Sequence, residues 1–154
     1  IQFLIKLDKK NLIVGTKIND RRKLLEYWIK NSRRRKRYRN YMVKFPLKIL
    51  KKTRLEYALT TYQAENIVQH FLFPSRIDLH IKERDLEKWH GIMVKNGLYG
   101  RGNVRVIISD ENILYGKRKL NGLFIVSLPQ LIVDLAHEGG PCREAAEMLV
   151  KRKF

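Results

Sequence analysis

The chain has 154 residues, 44% of them hydrophobic, and carries 33 Lys and Arg against 15 Asp and Glu, a formal charge of +18. That size and apolar content suffice for a buried core and exclude a wholly disordered chain. A charge surplus of that size repels itself unless an acidic partner neutralises it, and nucleic acid is the commonest such partner, ahead of an anionic membrane surface.

The charge is unevenly placed. Residues 1–19 are net +3, residues 20–54 hold fifteen basic residues against Asp20 and Glu26, and residues 55–154 are nearly neutral at +2. Three parts follow: 1–19, a basic segment at 20–54, and an α/β domain at 55–154. In the first, Phe3-Leu-Ile5 and Leu12-Ile-Val14 flank turn-forming Asp8-Lys-Lys-Asn11, which predicts a β-hairpin. Asn19-Asp20 supplies a helix N-cap. Leu24, Leu25, Trp28 and Ile29 form one apolar helix face opposite Arg21, Arg22 and Lys30, and the helix is expected to run on into Arg33-Arg-Arg-Lys-Arg37. Residues 38–45 suit a strand. Pro46 opens a second basic helix with Leu47, Ile49 and Leu50 inward and Lys48, Lys51 and Lys52 outward.

From residue 55, strands and helices alternate. A short strand is expected at 56–59, then a helix capped by Thr60 or Thr61, running through Phe71 and ended by Pro74. Residues 76–82, Arg-Ile-Asp-Leu-His-Ile-Lys, alternate with period 2 and predict a half-buried strand. A helix with Leu86, Trp89, Ile92 and Met93 inward stops at Asn96-Gly97. Strands are expected at 104–108 and 123–126. Ser127 caps a helix with Pro129 in its first turn, Gly139-Gly-Pro141 breaks it, and a last helix carries Ala145, Ala146, Met148, Leu149 and Val150. The fold class is therefore α/β (α+β), a mixed sheet with flanking helices.

The Arg33–Arg39 cluster is the strongest local signal for function. Six of its seven residues are basic, with Tyr38 inside and Tyr41 just after. Closely spaced cations neutralise phosphates and release their counterions, and an aromatic can stack on an exposed base. A helix C-terminus favours one or two cations, but that dipole effect, roughly 0.3 to 1 kcal/mol, is too small to hold six together. The candidate nucleic-acid contacts are Arg21, Arg22, Lys30, Arg33, Arg34, Arg35, Lys36, Arg37, Arg39, Lys48, Lys51 and Lys52.

The other candidates are weaker. Asp78, His80 and Lys82, with Asp110 and Glu111, match in outline the strand-end carboxylates and Lys of a Mg²⁺-dependent nuclease, though a half-exposed strand explains the same letters. Gly97-Leu-Tyr-Gly-Arg-Gly102 follows a helix and opens a strand, the reverse of a phosphate loop, and reads as a flexible turn. The four His show no ligand spacing, and no Ser or Cys sits in a nucleophile motif, so no catalytic residue, metal or cofactor is expected. A single cysteine, Cys142, excludes an internal disulfide framework and fits a cytoplasmic location. No run approaches the roughly 18 to 20 apolar residues that span a bilayer. The opening Ile1-Gln-Phe-Leu-Ile-Lys6 is short of a signal peptide's apolar region, so no membrane partner is expected.

A set of short motifs lies in order along residues 20–154: Leu24-Leu-Glu-Tyr-Trp28, Tyr57-Ala-Leu-Thr60 with Ala64, the strand Ile77–Ile81, Gly102-Asn-Val104, Val126-Ser-Leu-Pro-Gln130 with Asp134-Leu135, and Arg143-Glu-Ala-Ala-Glu147. In that order they resemble the AbiEi-type antitoxins and related prokaryotic transcriptional regulators of type IV toxin–antitoxin systems. The resemblance implies an N-terminal winged helix that binds operator DNA, followed by an α/β domain that antagonises a nucleotidyltransferase-like toxin, with no catalytic residues. The recognition helices would fall before Ile1, with only what would be the wing, residues 1–19, present: either the winged helix is truncated or this member lacks it. Pro141-Cys-Arg143 departs from the pattern, where a Gly/Arg-rich turn is expected. The leading expectation is a non-catalytic DNA-binding regulator of antitoxin type. The alternatives are an RNA- or ribosome-associated basic protein and a metal-dependent nuclease.

Overall fold

The computed structural model describes residues 20–32 and 37–153, together with the backbone of two short strands ahead of them. Those strands, β1 (Ile13–Val14) and β2 (Lys17–Ile18), pair antiparallel. Their described pairing is Ile13 with Ile18 and Val14 with Lys17; Phe3-Leu-Ile5 and the turn expected at Asp8–Asn11 lie outside the described residues. Helix α1 (Arg21–Asn31) begins where the Asp20 carboxylate accepts the Lys23 backbone N–H at 3.1 Å. It does not run into Arg37 as expected. Ser32 closes it, donating its N–H to Trp28, and Arg37 already belongs to β3 (Arg37–Val43). Like charges three and four residues apart oppose a helix here, while Tyr38, Tyr41 and Val43 favour a strand.

The remaining elements are α2 (Pro46–Lys52), β4 (Ala58–Thr60), α3 (Thr61–Gln69), β5 (Ile77–Lys82), α4 (Leu86–Lys95), β6 (Gly97–Tyr99), β7 (Val104–Ser109), α5 (Glu111–Tyr115), β8 (Arg118–Leu120), β9 (Leu123–Ile125), α6 (Leu128–Glu138) and α7 (Pro141–Lys153). A 3₁₀ turn at Glu83–Asp85 leads into α4. Among the described residues, seven helices flank a seven-stranded mixed sheet of order β6-β3-β7-β5-β4-β9-β8, so the chain is α/β as expected. β5 and β7 run parallel, as do β4 and β9; the other pairs are antiparallel. β3 comes from the basic segment yet sits inside this sheet, between β6 and β7.

The two faces of the sheet differ in chemistry. Tyr41, Leu59, Leu79, Ile81, Val104, Val106 and Ile125 point to one face, all fully buried beneath α4 and α2. Trp89 of α4 meets Tyr57 edge-on there, with ring centroids 6.0 Å apart, and the Tyr57 hydroxyl donates to the Leu50 carbonyl of α2 at 3.0 Å. The opposite face carries Thr60, Asp78, His80, Arg105 and Ser109, and α3 and α6 cover it, backed by α7 and α1. This corrects the reading of β5 as half-buried. Its apolar and polar sides are both covered, because each buried polar group there finds a partner.

Other boundaries differ for local reasons. β4 begins two residues later than expected, at Ala58, where its pairing with His80 of β5 starts. Helix α3 stops before Phe71, and Pro74 is not its terminator. His70 turns left-handed at φ 58° and donates its N–H to Glu65 and Asn66. The glycine-rich stretch is not a flexible turn. Gly97 opens β6 and Gly102 closes the return, each pressed on β3. A Cβ on Gly97 would lie 1.9 Å from the Met42 carbonyl oxygen, and one on Gly102 would lie 2.3 Å from that of Tyr41. α5 and β8 went unread in the sequence, being a single helical turn and three residues with no periodicity to show.

Candidate nucleic-acid interface and polar cleft

The structure distributes the predicted cations over two layers. Arg21, Arg22 and Lys30 are exposed on α1, which packs against α6 on the polar face of the sheet. Lys48, Lys51 and Lys52 are exposed on α2, on the opposite side. Lys44 and Lys48 both lie over the ring of Phe45, 5.6 and 4.9 Å from its centroid, and that ring is itself 59% exposed. Arg37 and Arg39 project from β3 toward the start of α4, where they meet Glu83 at 2.9 Å and Glu87 at 3.5 Å. Arg33, Arg34, Arg35 and Lys36 lie outside the described residues. Among the described residues, Arg21, Arg22, Lys30, Lys48, Lys51 and Lys52 form no ion pair.

Trp28 departs from expectation. Leu25 is buried and Leu24 partly so, but the Trp28 side chain remains 37% exposed. It faces a cleft of about 940 Å³ bounded by α1, α6 and the carboxyl ends of β5 and β7. Open α/β sheets bind ligands at this position, outside the carboxyl ends of parallel strands.

The floor of the cleft is a hydrogen-bonded polar chain. The Asp134 carboxylate of α6 accepts from Thr60 Oγ1 at 2.6 Å, from His80 Nε2 at 2.8 Å and from Gln130 Nε2 at 2.9 Å. His80 Nδ1 in turn lies 2.6 Å from Ser109 Oγ at the end of β7. Gln130 reaches Asp134 because four residues separate them on one helix, and Ser127 fixes the start of that helix by accepting the Gln130 N–H. Burial acts to raise the Asp134 carboxyl. The charge of His80 and the hydrogen bonds from His80, Thr60 and Gln130 outweigh it and hold the group below the ordinary carboxylate range.

A second polar cluster occupies the same face. Asp78 accepts from Thr61 Oγ1 at 2.5 Å and from both Arg76 Nε and Nη2, at 2.6 and 2.8 Å. Arg76 also donates to Glu138 at 2.7 Å, and Arg105 approaches the other oxygen of Glu138 at 3.6 Å. Lys82 pairs with Glu56 at 3.1 Å and lies 3.9 Å from Glu111. Of the residues of the nuclease reading, Asp78 pairs with Arg76 and His80 with Asp134, while Lys82 and Glu111 lie 3.9 Å apart. Among the described residues, no three His, Cys, Asp or Glu side chains are grouped to hold a metal ion, and no helix is long and apolar enough to cross a membrane.

Sequence reasoning found the cations and missed the cleft. The available signal was the coincidence of two spacings, the polar side of β5 and the Ser127-x-x-Gln130-x-x-x-Asp134 helix start, which only the sheet register brings together. No family model matches the chain, and no curated protein or solved structure matches it significantly.

Proposed function

We propose that the chain is a non-catalytic nucleic-acid-binding protein, DNA its preferred partner, serving as a transcriptional regulator of antitoxin type. One observation carries the reading: the excess charge is concentrated in residues 20–54, and nine of the described cations there are exposed and form no ion pair. Exposed unpaired cations at this density favour a polyanion. Phe45, held between Lys44 and Lys48, adds a ring of the kind that stacks on bases. The antitoxin part rests on the motif resemblance alone, with residues 1–19 as the wing and a nucleotidyltransferase-like toxin as the functional partner.

The test is a salt series. Log affinity for duplex DNA should fall with log salt at roughly 0.9 per phosphate contacted. Replacing Arg33, Arg34, Arg35 and Arg37 with Ala should flatten that slope and weaken binding equally on all sequences, since phosphate contacts carry no base information. The variant should stay folded: the one ion pair known to be lost, Arg37 to Glu83, is exposed on both sides. Unchanged affinity for DNA and for RNA across the series would remove the reading's physical support.

A further inference from the structure

We infer that the cleft beside Trp28 binds a nucleobase, its ring stacked on the indole and its polar edge turned toward the Asp134–His80–Ser109 floor. The inference stands apart from the cation surface, because it rests on different residues.

Shape and chemistry both select a planar, polar-edged heterocycle. The volume of about 940 Å³ lies within the usual range for small-ligand sites, roughly 300 to 1,000 Å³. Tyr27 and Trp28 of α1 line it together with the aliphatic side chains of Ile107, Ile113 and Val133. A purely apolar ligand would leave the polar floor unmatched. A simple anion would leave the indole unused.

Charge sets the orientation. Among the described lining residues Arg37 is the one Lys or Arg, and it is already paired with Glu83, as His80 is with Asp134, so the interior offers a phosphate no free cation. Arg37 stands with Glu83 on the side where β3 begins. A nucleotide therefore enters base first, with its phosphate left toward solvent. Gln130 Nε2 and Ser109 Oγ are bonded to Asp134 and His80, which leaves the Gln130 side-chain carbonyl oxygen and the remaining Ser109 Oγ lone pair to meet a base edge. Trp28 explains itself in this arrangement: its backbone lies in a capped helix, yet over a third of the residue stays exposed in the lining of a polar cleft.

The base can come from a free nucleotide or from an unpaired strand, and fluorescence separates the two. The chain has two tryptophans, and Trp89 is fully buried, so an added quencher reports on Trp28. Wild type and Trp28→Phe are titrated with the four ribonucleoside monophosphates, with a single strand of about eight nucleotides, with the same strand annealed to its complement, and with inorganic phosphate. Strand binding is followed in parallel by anisotropy. Saturable quenching in wild type and none in Trp28→Phe is expected from a base on the indole. Quenching by monophosphates assigns the free nucleotide; quenching by the single strand alone assigns the strand. Trp28→Ala should weaken the quenching ligand at least about fivefold. Failure of every monophosphate and of the single strand to quench overturns the inference, as does quenching by phosphate or duplex to the same degree. A strand that binds without quenching defeats this inference and spares the proposed function. Quenching by monophosphates with no anisotropy change for the single strand or the duplex does the reverse.

Discussion

Asp134→Ala is the substitution from which the structure predicts most. The side chain is 4% exposed and accepts three hydrogen bonds, from Thr60, His80 and Gln130. Truncation leaves three buried donors unpaired, and each buried orphan costs about 1–3 kcal/mol. The adjoining cleft lets water reach some of them, so the costs do not simply add. Breaking a buried charge pair from one side costs about 3–5 kcal/mol, and that is the expected loss. Against a total of about 5–15 kcal/mol it is a large fraction. Urea unfolding should show a lowered midpoint at unchanged slope. Asp134→Asn keeps the volume and one acceptor and should lose less. The pH dependence supplies a second reading. The folded Asp134 carboxyl titrates below its unfolded value. Its contribution is therefore fully present above the unfolded value and is lost as pH falls through the folded one. The Asn variant should show a smaller acid loss than wild type over that interval. A shift for Asp134→Ala under about 1 kcal/mol, the net value of a single ordinary hydrogen bond, would refute the reasoning.

Two further outcomes test the packing. Gly97→Ala should destabilise by about 1–3 kcal/mol, since its Cβ meets the β3 backbone. Gly91→Ala, in α4 with nothing within 4 Å of the added carbon, should stabilise by about 0.5–1 kcal/mol; thermal unfolding of the two variants should move in opposite directions. Cys142 is fully buried, and burial pushes its thiol up against the opposing bond from Tyr62. A thiol reagent should therefore modify it at the rate of unfolding and immediately in urea. Rapid labelling of the native protein would show that the contact between α7 and α3 is looser than described.

Legibility followed periodicity. Helices α4, α6 and α7 announce themselves through apolar spacing and through Ser127, Asn96 and Gly139-Gly140, and the structure places them within a residue or two of those marks. Elements of three to five residues, such as β6, α5 and β8, are shorter than the window in which a period can be seen. Their positions depend on neighbours, most plainly at Gly97, where the strand β3 lying against it dictates the residue.

The misreading of β5 has a different cause, and it concealed the cleft. Alternation of Asp78, His80 and Lys82 with Ile77, Leu79 and Ile81 reports two chemically distinct faces. It does not report which of them meets water. A polar face can be buried wherever the covering helices bring matching groups, and α6 brings Gln130, Asp134 and Glu138 at helical spacing over Thr60, His80 and Arg105. The motif letters that read as structural, Thr60 in Tyr57-Ala-Leu-Thr60 and Gln130 with Asp134 in the helix start, are members of this one network. A buried network of this kind fixes register, because sliding β4 or β5 by one residue would exchange His80 or Thr60 for an aliphatic side chain beneath Asp134. It also holds Ser109 and Gln130 still at the floor of an open cleft, with Trp28 uncovered beside them. Rigid polar groups under an exposed indole are the conditions for recognising a flat ligand by face and edge together. The same residues that specify the fold therefore furnish the site.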